Sequence, residues 1–393
     1  MLCIEEPIMS SAVTRFHLSL PEETLTELRE RLERTRLPSA ETVSDHSQGP
    51  KLASMETLRE YWIEQYDWRR CESLLNSFGQ FKTEIDGLPI HFLHVRSQEP
   101  NALPLLLTHG WPGSVLEFRK VIEPLVDPVK YGGSAEDAFD VIIPSLPGFG
   151  FSGQPREAGW DIGRIASAWA TLMQRLGCKK WGAQGGDWGA AVTLALGHMV
   201  PTGLAGIHLN FVMYQPTPEE MDNADSDEQA MMASAQNYQQ RLSGYAQVQG
   251  TRPQAVAYGL SDSPMGQAAW IYSLLEDVAD CNGDPTSVFS MDEILDDIML
   301  YWLPNASASS ARLYWDSMSA MMSGPPPFYP STMPTGISMF PKEQVRISKR
   351  WAEARFKNLA HYKQATAGGH FAALEQPQEF VEGVRATFRD LRS

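Results

Sequence analysis

Gly185-Gly186-Asp187-Trp188-Gly189 lies between a strand-like run, Trp181 to Gln184, and a helical pattern from Trp188 to about Met199. A side chain on such a strand-to-helix turn stands exposed at the carboxyl end of the strand. The turn is tight enough that small residues must flank the one that carries the chemistry. The pattern is that of a nucleophile elbow with Asp in place of Ser, and the chain holds no G-x-S-x-G. Taken alone, Asp187 is read equally well as the N-cap of the helix that follows it.

Outward from this turn the chain reads as strand alternating with helix. Phe81 to Ile85 and Leu88 to Val95 flank Asp86-Gly87, a strong hairpin signal. Leu103 to Thr108 and Phe139 to Ile143 are short continuous apolar runs, as strands buried on both faces require. A helical pattern covers Ile162 to Leu176, and Gly336 to Phe340 and Asn358 to Gln364 again read as strands, before an amphipathic helix from Pro377 to Leu391 with Phe380, Val384 and Phe388 on one face. This alternation predicts an α/β fold with a mostly parallel, doubly wound sheet.

Two segments interrupt the rhythm. Before the first of these strands, Ser19, Pro21 and Glu22 suggest a capping box, followed by Leu25, Leu28 and Leu32 at helical spacing up to Leu37-Pro38. A second helix from Met55 carries Leu58, Tyr61, Trp62 and Tyr66 on one side. From about Tyr214 to Pro330 there is no convincing strand, so an all-helical insertion is expected, closed by the stiff Pro325-Pro326-Pro327 connector. The organisation expected is a helical extension over 1–80 that wraps the core, core sheet over 81–213, a helical cap over 214–330, and core again over 331–393.

Three further segments bear on Asp187. His109-Gly110-Trp111-Pro112-Gly113 follows the strand Leu103 to Thr108, where a turn can aim a backbone N–H at the nucleophile. With the N–H of Trp188, that of Trp111 would complete an oxyanion hole; His109, Gly110 and Pro112 would support the turn. A purely structural turn around a cis Pro112 is compatible with the same residues. Gly368-Gly369-His370-Phe371 follows the last strand, and Glu343, beyond the strand Gly336 to Phe340, is placed to orient His370. The order nucleophile, acid, histidine is that of the α/β-hydrolase fold. His198, His208 and His361 fall within helix or strand patterns and read as structural.

Together, Gly-Gly-Asp-Trp-Gly, His-Gly-Trp-Pro-Gly-Ser, Pro-Thr-Gly…Phe-Pro…Glu and Gly-Gly-His-Phe resemble the microsomal and fungal branch of the epoxide hydrolases over nearly the whole chain. The resemblance implies an α/β-hydrolase fold, with Asp187 as nucleophile, His370 as general base and Glu343 as its orienting acid. It also implies two tyrosines that hold the epoxide oxygen, matched here by Tyr245 in Ser243-Gly244-Tyr245 and Tyr314 in Ser310-Ala311-Arg312-Leu313-Tyr314. Tyr238, Tyr258, Tyr272 and Tyr301 are expected to pack or lie on the surface. No cofactor and no metal is implied. Microsomal members carry an N-terminal membrane anchor that this chain lacks, so a soluble form is expected.

A net charge of −16 argues against a nucleic-acid partner and disfavours anionic membranes. Met1 to Val13 has no basic n-region, no run approaches the ~20 apolar residues of a membrane span, and the chain reads as cytoplasmic. The cysteines Cys3, Cys71, Cys178 and Cys281 are scattered and read as free thiols. Trp270, Trp302, Trp315, Met318, Met321 and Met322 suggest an apolar, aryl-accepting pocket, or equally a helical core. A haloalkane dehalogenase, which shares the Asp nucleophile, and a non-catalytic receptor of the same fold are the competing readings. The oligomeric state stays open, a homodimer included.

Overall fold

The computed structural model describes residues 12–322 and 331–392. The Pro325-Pro326-Pro327 connector and Cys3 lie outside the described residues, as do the side chains of Met321 and Met322. Among the described residues, nine strands form one sheet in the order β1-β2-β3-β5-β4-β6-β7-β8-β9. They are β1 (Thr14–Phe16), β2 (Gln80–Ile85), β3 (Leu88–Val95), β4 (Leu103–Thr108), β5 (Phe139–Pro144), β6 (Trp181–Gly185), β7 (Leu204–Leu209), β8 (Thr335–Met339) and β9 (Leu359–Gln364). β1, β2, β3 and β5 pair antiparallel, and from β5 through β4 to β9 every pairing is parallel. The sheet is mostly parallel, as the alternation of strand and helix predicts, and the fold is the α/β-hydrolase fold that the resemblance implies. Asp86 and Gly87 both take positive φ, 53° and 73°, which is what a two-residue hairpin turn needs between β2 and β3.

Around the N-terminus the structure departs from the reading in three places. β1 precedes the helices α1 (Glu22–Glu33), α2 (Leu52–Glu64) and α3 (Trp68–Ser77), and pairs with β2 far along the chain. The expected capping box is absent: Pro21 is the N-cap of α1, without a side-chain cap. The backbone here is strapped to α3 instead, with Leu20 N–H donating to Glu72 Oε1 (2.7 Å) and Leu18 N–H to Asn76 Oδ1 (2.9 Å). Tyr66 lies beyond the end of α2, and its hydroxyl donates to Asp296 Oδ1 at 2.9 Å.

The remaining helices are α4 (Ile122–Val126), α5 (Ile162–Arg175), α6 (Asp187–Met199), α7 (Pro218–Asp222), α8 (Ser226–Asn237), α9 (Gly244–Thr251), α10 (Pro253–Asp262), α11 (Pro264–Val278), α12 (Met291–Trp302), α13 (Ser307–Met322), α14 (Lys349–Arg355), α15 (Ala372–Glu375) and α16 (Pro377–Phe388). Between β7 and β8 the described residues form helices and no strand. Asp296, on α12 and fully buried, joins this helical segment to the rest. Arg70 of α3 reaches its Oδ1 at 2.7 Å and Arg119 its Oδ2 at 2.9 Å. A buried carboxylate with this many donors is satisfied, and removing it leaves Arg70 with Asp292 (3.3 Å) and Arg119 with Glu293 (2.7 Å) as their remaining acidic partners.

Candidate active site

Register brings the chemistry together. β4 and β6 are neighbours with Thr108 opposite Gly185, so the turns that follow these two strands emerge side by side. β8 and β9 are neighbours with Met339 opposite Gln364, which does the same for the loops bearing Glu343 and His370. All four loops leave the carboxyl ends of parallel strands, where ligands bind in open α/β sheets.

Asp187 has φ of 46°, a left-handed conformation that a non-glycine residue adopts only when its surroundings over-determine it. It does not cap α6; Gly186 occupies that position and the Asp187 carboxylate points elsewhere. Its Oδ1 accepts the Trp111 backbone N–H at 2.7 Å, and its Oδ2 lies 3.5 Å from His370 Nε2. The approach of the two turns leaves no room for side chains. A Cβ on Gly110 would stand 2.0 Å from Asp187 Oδ1, and one on Gly189 1.9 Å from the Thr108 carbonyl oxygen.

His109 holds the turn from behind. Its Nε2 accepts the Leu146 N–H (3.2 Å), which leaves Nδ1 to donate to the Gly110 carbonyl (2.9 Å). Burial pushes this imidazole down to about 4, so it is neutral. The Trp111–Pro112 peptide is cis. Tyr301, expected only to pack, donates its hydroxyl to the Gly113 carbonyl at 2.7 Å and so braces the same turn.

His370 Nδ1 lies 2.7 Å from Glu343 Oε2, and Glu343 is 2% exposed. The other carboxylate oxygen of Glu343 accepts the N–H groups of Gln344 (2.7 Å) and Val345 (3.4 Å). Burial pushes the His370 imidazole down. The carboxylates of Glu343 and Asp187 outweigh burial and hold it well above its usual 6.5. The backbone of His370 is fixed to the end of α11, its N–H donating to the Val278 carbonyl at 3.0 Å.

Aromatic rings from the helical segment cover the carboxylate. Tyr245 stacks on Trp111, with centroids 5.0 Å apart and planes at 16°. Tyr314 meets Trp188 edge-on at 4.8 Å and Tyr245 at 5.9 Å. Burial pushes both phenols well above 10, so each keeps its hydrogen at neutral pH. An open cavity of about 590 Å³ lies between residues 45–49 and the helical segment, with Tyr245, Trp270 and Leu274 on its wall.

The sequence missed two members of this neighbourhood. Tyr238 brings its hydroxyl to 2.7 Å from that of Tyr245, and nothing but its position two helical turns upstream could have signalled it. Glu117, on the turn Val115–Phe118, is buried, and burial pushes its carboxyl up to about 8. Of the aromatic and Met residues put forward as a pocket, Trp270 alone among those whose side chains are described is on the cavity wall. Trp315 is 40% exposed, Trp302 lies under Arg31, and Met318 packs against Gly250. His208 is buried beside Ser338 Oγ (3.0 Å), His361 lies on β9 and His198 is exposed at the end of α6. Tyr258 is exposed and Tyr272 buried; Cys71, Cys178 and Cys281 are free. Among the described residues, no helix is long and apolar enough to cross a membrane.

The chain is similar to proteins that carry one activity in their names. Residues 13–118 match the family model for the epoxide hydrolase N terminus, and residues 104–262 match that for the alpha/beta hydrolase fold. A protein of Stigmatella aurantiaca that carries a provisional epoxide hydrolase name is 53% identical over 97% of this chain and 86% of its own. The juvenile hormone epoxide hydrolase of the silkworm Bombyx mori superposes with a TM-score of 0.89 at 26% identity, covering 98% of this chain and 96% of that one. The epoxide hydrolase of Aspergillus niger does so at 0.86 and 30% identity, covering 98% of each chain. A carboxylate on a strained elbow, a histidine–glutamate pair behind it and a sequence this close to such enzymes place the chain in the epoxide hydrolase family, in its microsomal and fungal branch.

Proposed function

We propose that this enzyme opens epoxides to vicinal diols through a covalent ester on Asp187. The reading rests on one arrangement: Asp187 offers Oδ2 toward the space beside His370 while Oδ1 is already held by the Trp111 N–H at 2.7 Å. Oδ2 is thus the attacking oxygen. As its bond to the epoxide carbon forms, the C–O bond of the strained ring breaks, and Tyr245 and Tyr314 donate hydrogen bonds to the oxygen that gathers the electron pair.

Ester formation also switches His370. In the resting enzyme two carboxylates favour the imidazolium; once Asp187 is an ester, one of those charges is gone, the proton is held less tightly, and it passes to the alkoxide of the opened ring to give the hydroxyl ester. Neutral His370, oriented by Glu343, then takes a proton from water, and the resulting hydroxide attacks the ester carbonyl carbon. The tetrahedral oxyanion develops on Oδ1, where the Trp111 N–H already points; the Trp188 N–H, first after Asp187, is its second donor. As the C–O bond to the substrate breaks, His370 returns its proton to the leaving oxygen and the diol departs; the Asp187 carboxyl then passes its own proton to His370, which restores the resting pair. No step calls on a metal or organic cofactor.

The substrate class we propose is a small apolar epoxide, aryl groups included, supported by the rings of Trp111, Tyr245 and Tyr314 around the carboxylate and by Trp270 on the cavity wall. The net charge of −16 supports a cytoplasmic enzyme that stays off anionic bilayers; recovery in the membrane fraction would count against this. The functional test is diol release from styrene oxide beside halide release from a bromoalkane. Diol without halide is expected; halide release at a comparable rate would return the dehalogenase reading.

A further inference from the structure

Tyr238 opens a five-residue π-helical turn, Tyr238–Leu242, between α8 and α9. The turn is closed by the Ser243 N–H, which donates to the Tyr238 carbonyl at 2.9 Å, while Ser243 Oγ donates to the Gln239 carbonyl at 2.8 Å. Turns of this kind interrupt a helix by one residue and redirect the side chains on either side. Here Tyr238 and Tyr245, seven positions apart, meet with their phenolic oxygens 2.7 Å from each other. The Tyr245 ring has little freedom to turn away, because it is stacked flat on Trp111.

Two phenols that share one hydrogen bond contain two hydrogens, and only one lies in the bond. If Tyr245 were the donor, its hydrogen would be spent on Tyr238 and unavailable to a substrate. If Tyr238 is the donor, the hydrogen of Tyr245 is left free, and the bond Tyr245 accepts makes it a stronger donor. We infer that Tyr238 is a positioning residue for ring opening: it donates to the Tyr245 oxygen, turning the remaining O–H of Tyr245 toward the epoxide. The inference rests on the proposed role of Tyr245. As the ring C–O bond breaks and its electron pair collects on oxygen, charge drawn through Tyr245 is met by the hydrogen of Tyr238. Tyr238 keeps that hydrogen at neutral pH, because burial holds its phenol above 10.

The test is single-turnover stopped-flow with styrene oxide on the full chain, resolving ester formation from ester hydrolysis, for Tyr238→Phe, Tyr245→Phe and the double variant. We expect Tyr238→Phe to slow ester formation roughly threefold to thirtyfold, the range for one hydrogen bond in a chain that ends on a developing charge. Ester hydrolysis should stay within about twofold, since its chemistry lies on the other side of Asp187. In the Tyr245→Phe background the same change should cost nothing further. An unchanged rate of ester formation in Tyr238→Phe overturns the inference. So does an equal loss in both steps, which marks a merely structural residue, or a full additional loss in the double variant, which marks an independent one. If Tyr245→Phe by itself leaves ester formation unchanged, the role of Tyr245 fails first and takes the inference with it.

Discussion

Replacing Glu343 with glutamine alters one atom of the site and has two separable consequences. The first is electrostatic. Two opposite charges about 4 Å apart at an effective dielectric near 20 attract by about 4 kcal/mol, equivalent to about three pKa units. Because Glu343 raises the His370 pKa, removing its charge lowers that pKa, and the acidic limb of ester hydrolysis should move to lower pH by up to about three units. The second consequence concerns the tautomer. Glu343 Oε1 accepts the N–H groups of Gln344 and Val345, so a glutamine must keep its carbonyl oxygen there and turn its NH2 toward His370 Nδ1. Nδ1 then becomes an acceptor and the hydrogen moves to Nε2, the nitrogen that faces Asp187 and must act as base. A histidine held in the wrong tautomer loses roughly 10³–10⁴ in rate. Ring opening does not use that lone pair and should fall less than about tenfold. Rapid-quench intact mass spectrometry should therefore show the ester accumulating in Glu343→Gln. Turnover within about tenfold of the parent, or a parallel loss in both steps, would refute the reasoning.

Three further outcomes follow from the packing and the buried charges. Gly110→Ala puts a Cβ 2.0 Å from Asp187 Oδ1, so the turn must retreat from the nucleophile; activity should fall at least about 100-fold and stability by roughly 1–3 kcal/mol, read from turnover and urea unfolding. Asp296→Ala removes the acceptor shared by Tyr66, Arg70 and Arg119 while Asp292 and Glu293 still face the two arginines, and should cost roughly 1–3 kcal/mol, seen as a lower melting temperature with the active-site geometry otherwise intact. The third outcome is a pH profile. Burial holds His91 near 3, His109 near 4 and His208 near 3, and these contribute stability above pH 6.5 that is lost as pH falls. Burial also pushes Glu117 and Glu276 up to about 8 and Asp297 to about 7, and their stability is present at low pH and lost as pH rises through those values. The two sets offset each other between about pH 4.5 and 6.5. Above pH 6.5 the buried neutral histidines no longer offset the acids, and His370, held protonated by its carboxylates, loses stability in the same direction, so stability should drop by at least roughly 2–4 kcal/mol between pH 6.5 and 8. A melting temperature at pH 8 that equals or exceeds that at pH 6 would contradict this balance.

What could be read from the sequence was set by how local its cause is. Leu103 to Thr108 is a strand because a run of apolar residues must be buried on both faces, and the structure has it with those bounds. The Asp86-Gly87 turn was legible because its positive φ angles need such residues. The triple Asp187, Glu343 and His370 could be read from three glycine- or proline-marked loops in one chain order, and the register of β4 with β6 and of β8 with β9 brings them within contact. β1 was not legible: three residues pairing with a strand more than 60 positions away leave no periodicity. β7 went unnamed because Gly206 and His208 interrupt its apolar run. The capping box at Ser19 failed because a tertiary contact, Leu20 to Glu72, claimed the backbone that a local cap would have used. Tyr238 was hidden for a related reason, since its meeting with Tyr245 depends on a π-helical turn that no pattern of residue types announces.

The covalent step is the central claim, and intact mass spectrometry of His370→Gln tests it most directly. Without its base, the variant should still open one epoxide and then stall. We expect a stable mass increase equal to one epoxide molecule, mapped to the peptide containing Asp187 and absent in Asp187→Ala. A His370→Gln enzyme that binds styrene oxide and shows no mass increase would contradict the ester mechanism.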